Sequence, residues 1–450
     1  MGLQKQLLQL FMLLVSSFSC YSSLNQDPLS NYLDKTSAYD NSAYPTYFGT
    51  INDEDQDGDF EPNFNYEPDE SSNFESFSEV GSPSSSIKVV NVNDFGAKGD
   101  GTDATEAFEK AWEEACSSTD GAVLLVPQSK KYLLRKITFS GPCKSELTMK
   151  VYGIIEASAN RADYKKDTRH WILFQNIQNF KIEGGGTFDG KGDIWWKNSC
   201  KIDKSRALTF YNCKNLSVKN LRIRDAQQIH ISIEQCFNVQ ALNLLITAPE
   251  RSPNTDGIHV AGTRKIQIIS CVIKTGDDCI SIVSGSQNVQ AMDITCGPGH
   301  GISIGSLGAG KSEAHVSDIF VDTAKLSGTT NGVRIKSWQG GSGNANKITF
   351  QNVYMHNVTN PIIIDQNYCD QTDPCNEQES AVQVKDVVYK NIRGTSASDV
   401  AVKFDCSKGY PCRGVVLQNI NLVREGGNQA KALCKSVKLT KIGGVTPNCP

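Results

Sequence analysis

Between residues 254 and 301 the chain returns to the same kind of segment at a nearly fixed step. Asp256 lies in Asn254-Thr255-Asp256-Gly257, Asp277 and Asp278 lie in Gly276-Asp277-Asp278-Cys279, and His300 lies in Gly299-His300-Gly301. The step is 21 residues from Asp256 to Asp277 and 22 from Asp278 to His300. That is too long for a helix turn and too regular for scattered loops, and it suits one coil of a stacked-strand solenoid. Residues one coil apart in such a stack sit roughly 4.7–4.9 Å above one another. The step therefore predicts three carboxylates and an imidazole in one patch.

Short β-branched runs recur around these segments: Asn179-Phe180-Lys181-Ile182, Asn215-Leu216-Ser217-Val218, Asn238-Val239-Gln240-Ala241, Lys265-Ile266-Gln267-Ile268, Asn288-Val289-Gln290-Ala291 and Lys347-Ile348-Thr349-Phe350. Second runs follow, such as Ile280-Ser281-Ile282 and Ile302-Ser303-Ile304. Alternating strands with Gly and Asn at the turns predict an all-β fold, a parallel β-helix built from a single chain. A β-propeller would repeat at about 40–50 residues and carry Gly-His and Trp-Asp signals, which are missing. A TIM barrel would need long helical patterns, which are also missing. Residues 105–116 do have helical spacing, with Ala107, Phe108, Ala111, Trp112 and Ala115 on one face. This helix is expected to cap the N-terminal end, where an open coil would expose a sheet edge.

The two ends of the chain differ in character. Residues 1–23 carry Lys5, an apolar run over 7–15 and small residues over 16–19, the pattern of a secretory signal peptide. No later run is long enough for a membrane span. Residues 24–86 hold 14 Asp and Glu against one Lys, and read as an acidic disordered linker or pro-segment. Asp53-Glu54-Asp55-Gln56-Asp57-Gly58 imitates the start of a calcium loop, but Phe64 stands at the twelfth position, where a bidentate Glu is needed. Residues 87–450 form the predicted solenoid domain. They hold 35 acids and 43 Lys and Arg, a net of +8 within an overall net charge of −4. A basic body suits a polyanionic partner.

The chain has 15 cysteines, or 14 without Cys20, and none at C-x-x-C spacing. In a secreted chain the default is disulfides rather than a metal site. Close spacing suggests Cys279/Cys296, Cys369/Cys375, Cys406/Cys412, Cys434/Cys449 and Cys116/Cys143. Asn215-Leu216-Ser217 and Asn357-Val358-Thr359 are glycosylation sequons.

Four segments together resemble the signature motifs of the polygalacturonases, pectin-hydrolysing glycosidases with a right-handed parallel β-helix. They are Asn254-Thr255-Asp256-Gly257-Ile258-His259-Val260, Gly276-Asp277-Asp278-Cys279-Ile280-Ser281-Ile282, residues 297–308 around Gly299-His300-Gly301, and Arg334-Ile335-Lys336-Ser337-Trp338. Four in order, with compatible spacing, are specific where any one would be modest. Asn93-Asp94-Phe95-Gly96-Ala97-Lys98-Gly99-Asp100-Gly101 is similar to the same family, and the resemblance runs from about residue 90 to the C-terminus. Ala104 departs from it, standing where the family often has a second Asp.

The resemblance implies hydrolysis of α-1,4-galacturonosyl linkages in de-esterified homogalacturonan, with no cofactor and no metal. It implies a secreted, cell-wall enzyme, acting as a monomer, with no nucleic-acid or membrane partner. Endo attack is favoured over exo attack. Inverting glycosidases need an acid for the leaving oxygen and a base for water, set about 6.5–9.5 Å apart. By resemblance Asp277 is the acid, Asp256 and Asp278 orient and deprotonate the water, and His300 holds the proton balance.

Arg334 and Lys336, two apart on one strand, point the same way and are expected to clamp a substrate carboxylate. Asn254 either binds substrate or closes an Asx turn. Tyr368 either contacts substrate or packs beside Cys369. Trp195-Trp196 is more plausible as core than as a sugar platform, and His259 reads as a structural residue alternating with Ile258. Two other functions compete, a non-catalytic pectin-binding wall protein and a pectate lyase. The intact acids and His300 argue against the first. The second uses calcium and a basic residue, where three acids fit hydrolysis better.

Overall fold

A computed structural model describes residues 87–449, apart from 165–168, 198–205, 371–374, 377 and 379. The predicted signal peptide, the acidic segment with its calcium-loop imitation, and Cys200 lie outside the described residues. The described chain winds as a right-handed parallel β-helix. Its strands form a 17-stranded and an 11-stranded sheet. Each strand pairs in parallel with the equivalent strand of the next coil, as in Ile258–Ala261 on Ile280–Ile282 and Ile280–Ile282 on Ile302–Leu307. No helix among the described residues is long and apolar enough to cross a membrane.

Strand alternation sorts the side chains. Ile231, Ile258, Ile280, Ile302, Val333, Ile362 and Val402 stack level with one another through seven coils, all fully buried. A second stack runs two residues later through Ile233, Val260, Ile282, Ile304, Ile335 and Ile364. These columns supply the non-directional burial that holds each coil on the next. The longer strands of the first sheet turn corners at left-handed residues, among them Asn215, Asn238 and Asn288 at φ 53–57°. Asn pays less than most side chains for that conformation, because its short amide bonds locally. Here the amides bond coil to coil: Asn215 Nδ2 donates to Asn179 Oδ1 and Asn238 Nδ2 to Asn215 Oδ1, both at 2.8 Å.

The capping helix forms where its spacing predicts. Helix α1 (Thr105–Cys116) buries Ala107, Phe108, Ala111, Trp112 and Ala115. Trp112 sits 4.8 Å from Phe139, at the start of a ring stack through Phe174 and Phe210. Cys116–Cys143 fastens the helix end. All five suggested disulfides form. The disulfide default fails for Cys213, Cys236 and Cys271, which are free and buried. They face the coil interior, where a thiol packs as a small apolar group. Trp195 is core as expected, with its ring 5.2 Å from Tyr164.

Candidate active site

The site lies where the chain enters the strands of the 11-stranded sheet. The ladder steps by 22 residues, from Ile258 to Ile280 to Ile302. Carried back two residues, this register sets Asp256, Asp278 and His300 level in successive coils. Asp277 is thus not the partner of Asp256 in the stack, as the 21-residue step suggested. It sits one residue earlier, and its carboxylate bonds Asn254 of the preceding coil and His300 of the following one.

The backbone around these groups is tightly determined. Thr255, fully buried, accepts the Gly276 amide on Oγ1 at 3.0 Å and so holds the turn that carries Asp277. Cys279–Cys296 closes the 17-residue interval between the Asp278 turn and the approach to His300. Gly301, at φ 85°, lies so close to the next coil that a Cβ would stand 2.0 Å from the Asn331 carbonyl. Only glycine fits there.

Three carboxylates occupy three different environments. Asp277 accepts from His300 Nδ1 on Oδ1 at 2.9 Å, from Asn254 Nδ2 on Oδ2 at 3.3 Å, and from the Asp278 amide at 2.7 Å. Burial alone would raise its affinity for a proton. The hydrogen bond and charge of His300, with Lys336 nearby, overcome that and bring its pKa down to about 2. Burial likewise opposes the charged imidazole of His300, and Asp277 prevails, so His300 titrates above its ordinary value.

Asp278 is almost fully buried and neutralised by two cations. Its Oδ1 accepts from Ser303 Oγ at 2.7 Å and Arg334 Nη2 at 2.8 Å, and its Oδ2 from Lys336 Nζ at 3.1 Å. Asp256 has no such cation in contact. Burial, then the charges of Asp277 and Asp278, push its carboxyl well above the ordinary range, against a hydrogen bond from Ser281 at 2.7 Å. Asp256 and Asp278 are therefore unequal. Asp278 is held between two cations, while Asp256 lacks one and has its carboxyl pushed up by burial and by its acidic neighbours.

All eight residues singled out in the sequence gather here. Asn254 bonds Asp277 rather than only closing a turn. Arg334 and Lys336 face the same way, as their spacing predicts, but both have an internal partner in Asp278. Two cations on one carboxylate leave a positive surplus beside it. Tyr368 backs this pair, with Lys336 Nζ 5.4 Å from its ring centroid and Trp338 edge-on at 5.2 Å. Sequence reasoning missed Ser281 and Ser303. Both sit between buried isoleucines on site strands, where alternation alone does not set a serine apart. Asp277, Asp278 and His300 offer ligand atoms within 4.8 Å of one another. A cation there would compete with Arg334 and Lys336 for Asp278 and with Asp277 for His300, so the donor set fits one poorly.

The sequence profile of glycosyl hydrolases family 28 matches residues 116–445. A polygalacturonase of Persea americana is 55% identical over 446 residues, 97% of this chain and 95% of its own. Polygalacturonase-2 of Solanum lycopersicum is 52% identical over 461 residues, 99% of this chain and 96% of its own. The crystal structure of a hyperthermoactive exopolygalacturonase from Thermotoga maritima aligns with a TM-score of 0.66 at 21% identity, over 79% of this chain and 91% of its own, and speaks for the fold. With the whole acid–imidazole patch inside the matched span, and relatives more than half identical along nearly the full chain, the chain belongs to glycosyl hydrolases family 28.

Proposed function

We propose that this chain is a polygalacturonase that hydrolyses α-1,4-galacturonosyl linkages of de-esterified pectin with inversion. The observation that carries the reading is the division of three crowded carboxylates into three environments, one beside an imidazole, one in a cation cage and one left basic. Unequal titration of neighbouring groups assigns acid and base work. The Asp277–His300 pair stores the proton for the leaving oxygen, on Nδ1 at rest, and delivers it through the Asp277 carboxyl. Asp256 takes the proton of the attacking water while Asp278 helps to orient that water.

The positive surplus of Arg334 and Lys336 attracts one galacturonate carboxylate, and the +8 of residues 87–450 attracts the polymer. The enzyme acts as a monomer in the cell wall after secretion directed by residues 1–23. Residues 24–86 are dispensable for catalysis, so a chain beginning at residue 87 should fold and turn over at least as fast. Endo attack is the favoured mode. Sizing the products of polygalacturonate over time tests the reading. Mixed oligomers should appear early, with no unsaturated, ultraviolet-absorbing ends. Monomer alone from the start would mean exo attack, and unsaturated ends would mean elimination.

A further inference from the structure

The strands of the site carry an outward column between their two buried stacks. His259, Ser281, Ser303 and Arg334 stand level in four successive coils. Two of them are hydroxyls, and each reaches one carboxylate of the preceding coil. Ser303 donates to Asp278 and accepts from Arg334 Nε at 2.9 Å. Ser281 repeats the arrangement: it donates to Asp256 Oδ2 at 2.7 Å and lies 2.8 Å from His259 Nδ1. The two relays have the same form, a backing residue, then a serine, then a carboxylate. One is backed by a guanidinium and the other by an imidazole.

The chemistry of the second relay is constrained. Ser281 is 2% exposed, so its hydroxyl has little access to solvent. A hydroxyl has one proton to give. When Asp256 is the anion that accepts it, the short contact to His259 must run the other way, with Nδ1–H donating to Ser281 Oγ. That tautomer pins the hydroxyl, and the pinned hydroxyl leaves Asp256 one rotamer. A base competent to take a proton from water must hold that geometry closely.

We propose that Ser281, backed by His259, is the positioning residue that orients Asp256 toward the attacking water. The inference rests on the base role given to Asp256 above. It extends that role to two side chains, of which His259 reads in the sequence as a structural residue. Neither touches the substrate in this account, and both act through the carboxylate.

Steady-state kinetics on polygalacturonate, with melting temperatures, test it on S281A, S281T, H259L and H259N, with D256N in parallel. S281A should lower kcat about 10–100-fold, the scale of one lost hydrogen bond to a charge, with KM little changed. S281T, which keeps the hydroxyl, should recover most of that loss. H259L should lower kcat less than S281A, and H259N, whose amide can donate to the same hydroxyl, should recover it. Should S281A fail to fold, the H259L and H259N pair carries the same comparison. Full kcat in S281A beside an inactive D256N would overturn the positioning role alone. An active D256N would remove the base role and this inference with it. Losses in H259L and H259N that are equal and track melting temperature would reduce the column to structure.

Discussion

The corner column through Asn215 and Asn238 and the entry column through Asp256, Asp278 and His300 climb the same β-helix, by steps of 23 and 22 residues. Over three coils of the corner column like stands on like, from Asn179 through Asn215 to Asn238, and the middle amide both gives and receives a hydrogen bond. At a second corner Asn243 donates to Asn220, and farther along Asn419 donates to Asn391 and Asn391 to Asn352. In the entry column Asp256 and Asp278 stack before His300, and neighbours balance the charges, His300 on Asp277 and Arg334 and Lys336 on Asp278. A solenoid can stack identical amides cheaply, because a neutral dipole finds its complement in its own copy. It cannot stack identical carboxylates without raising their proton affinity. A run of charged residues in one column thus marks where the fold serves chemistry rather than stacking.

Substitutions in the two columns should separate these duties. The largest effect is expected for Asp277→Asn, which should cut kcat by roughly 10²–10⁴-fold or more, the scale of proton transfer, while polymer binding stays near wild type and melting temperature falls no further than in His300→Gln. Near-normal turnover would remove the acid from its post. Asp278→Asn should differ in kind. It leaves Arg334 and Lys336 facing each other without their anion, so stability should fall by about 3 kcal/mol along with activity. Denaturant titration of the two variants side by side reads the contrast.

His300→Gln sharpens the comparison through pH. The carboxyl of Asp277 is lowered to about 2 from 3.8, so its share of stability is present above 3.8 and is lost as pH falls toward 2. His300 is raised above 6.5, so its share is present below 6.5 and is lost as pH rises through its higher value. The melting-temperature gap between wild type and H300Q should therefore be widest between pH 3.8 and 6.5 and narrow on both sides. A gap independent of pH would mean that the pair carries no charge. The smallest effect is expected in the corner column. Asn238→Ala loses the ladder bond and a residue tolerant of positive φ, so it should cost about 1–2 kcal/mol of stability and leave kcat unchanged.

The sequence carried some of this plainly and hid the rest for physical reasons. The coils were legible because Ile280-Ser281-Ile282 and Ile302-Ser303-Ile304 alternate strictly, and α1 because its apolar face is complete. The charged patch was legible from spacing, although one residue of register moved Asp277 out of the stack. The cage around Asp278 was not legible, since Arg334 and Lys336 come from 56 and 58 residues away, through coils of uneven length. Their same-face spacing on one strand pointed to a substrate carboxylate and carried no sign of this internal partner. Ser281 and Ser303 were invisible for a different reason: a serine between two isoleucines looks like any outward strand residue until the coil beneath it places a carboxylate within reach. The free thiols of Cys213, Cys236 and Cys271 show the limit of counting, since parity says nothing about which cysteines point inward.

Central to this account is that Asp277 protonates the leaving oxygen on one face of the linkage while Asp256 and Asp278 deliver water from the other. Proton NMR of the first reducing ends released from an α-linked galacturonate oligomer reads this directly, before mutarotation mixes the anomers. The account predicts that the β anomer appears first and the α anomer follows at the mutarotation rate. New ends that appear first as the α anomer would contradict it.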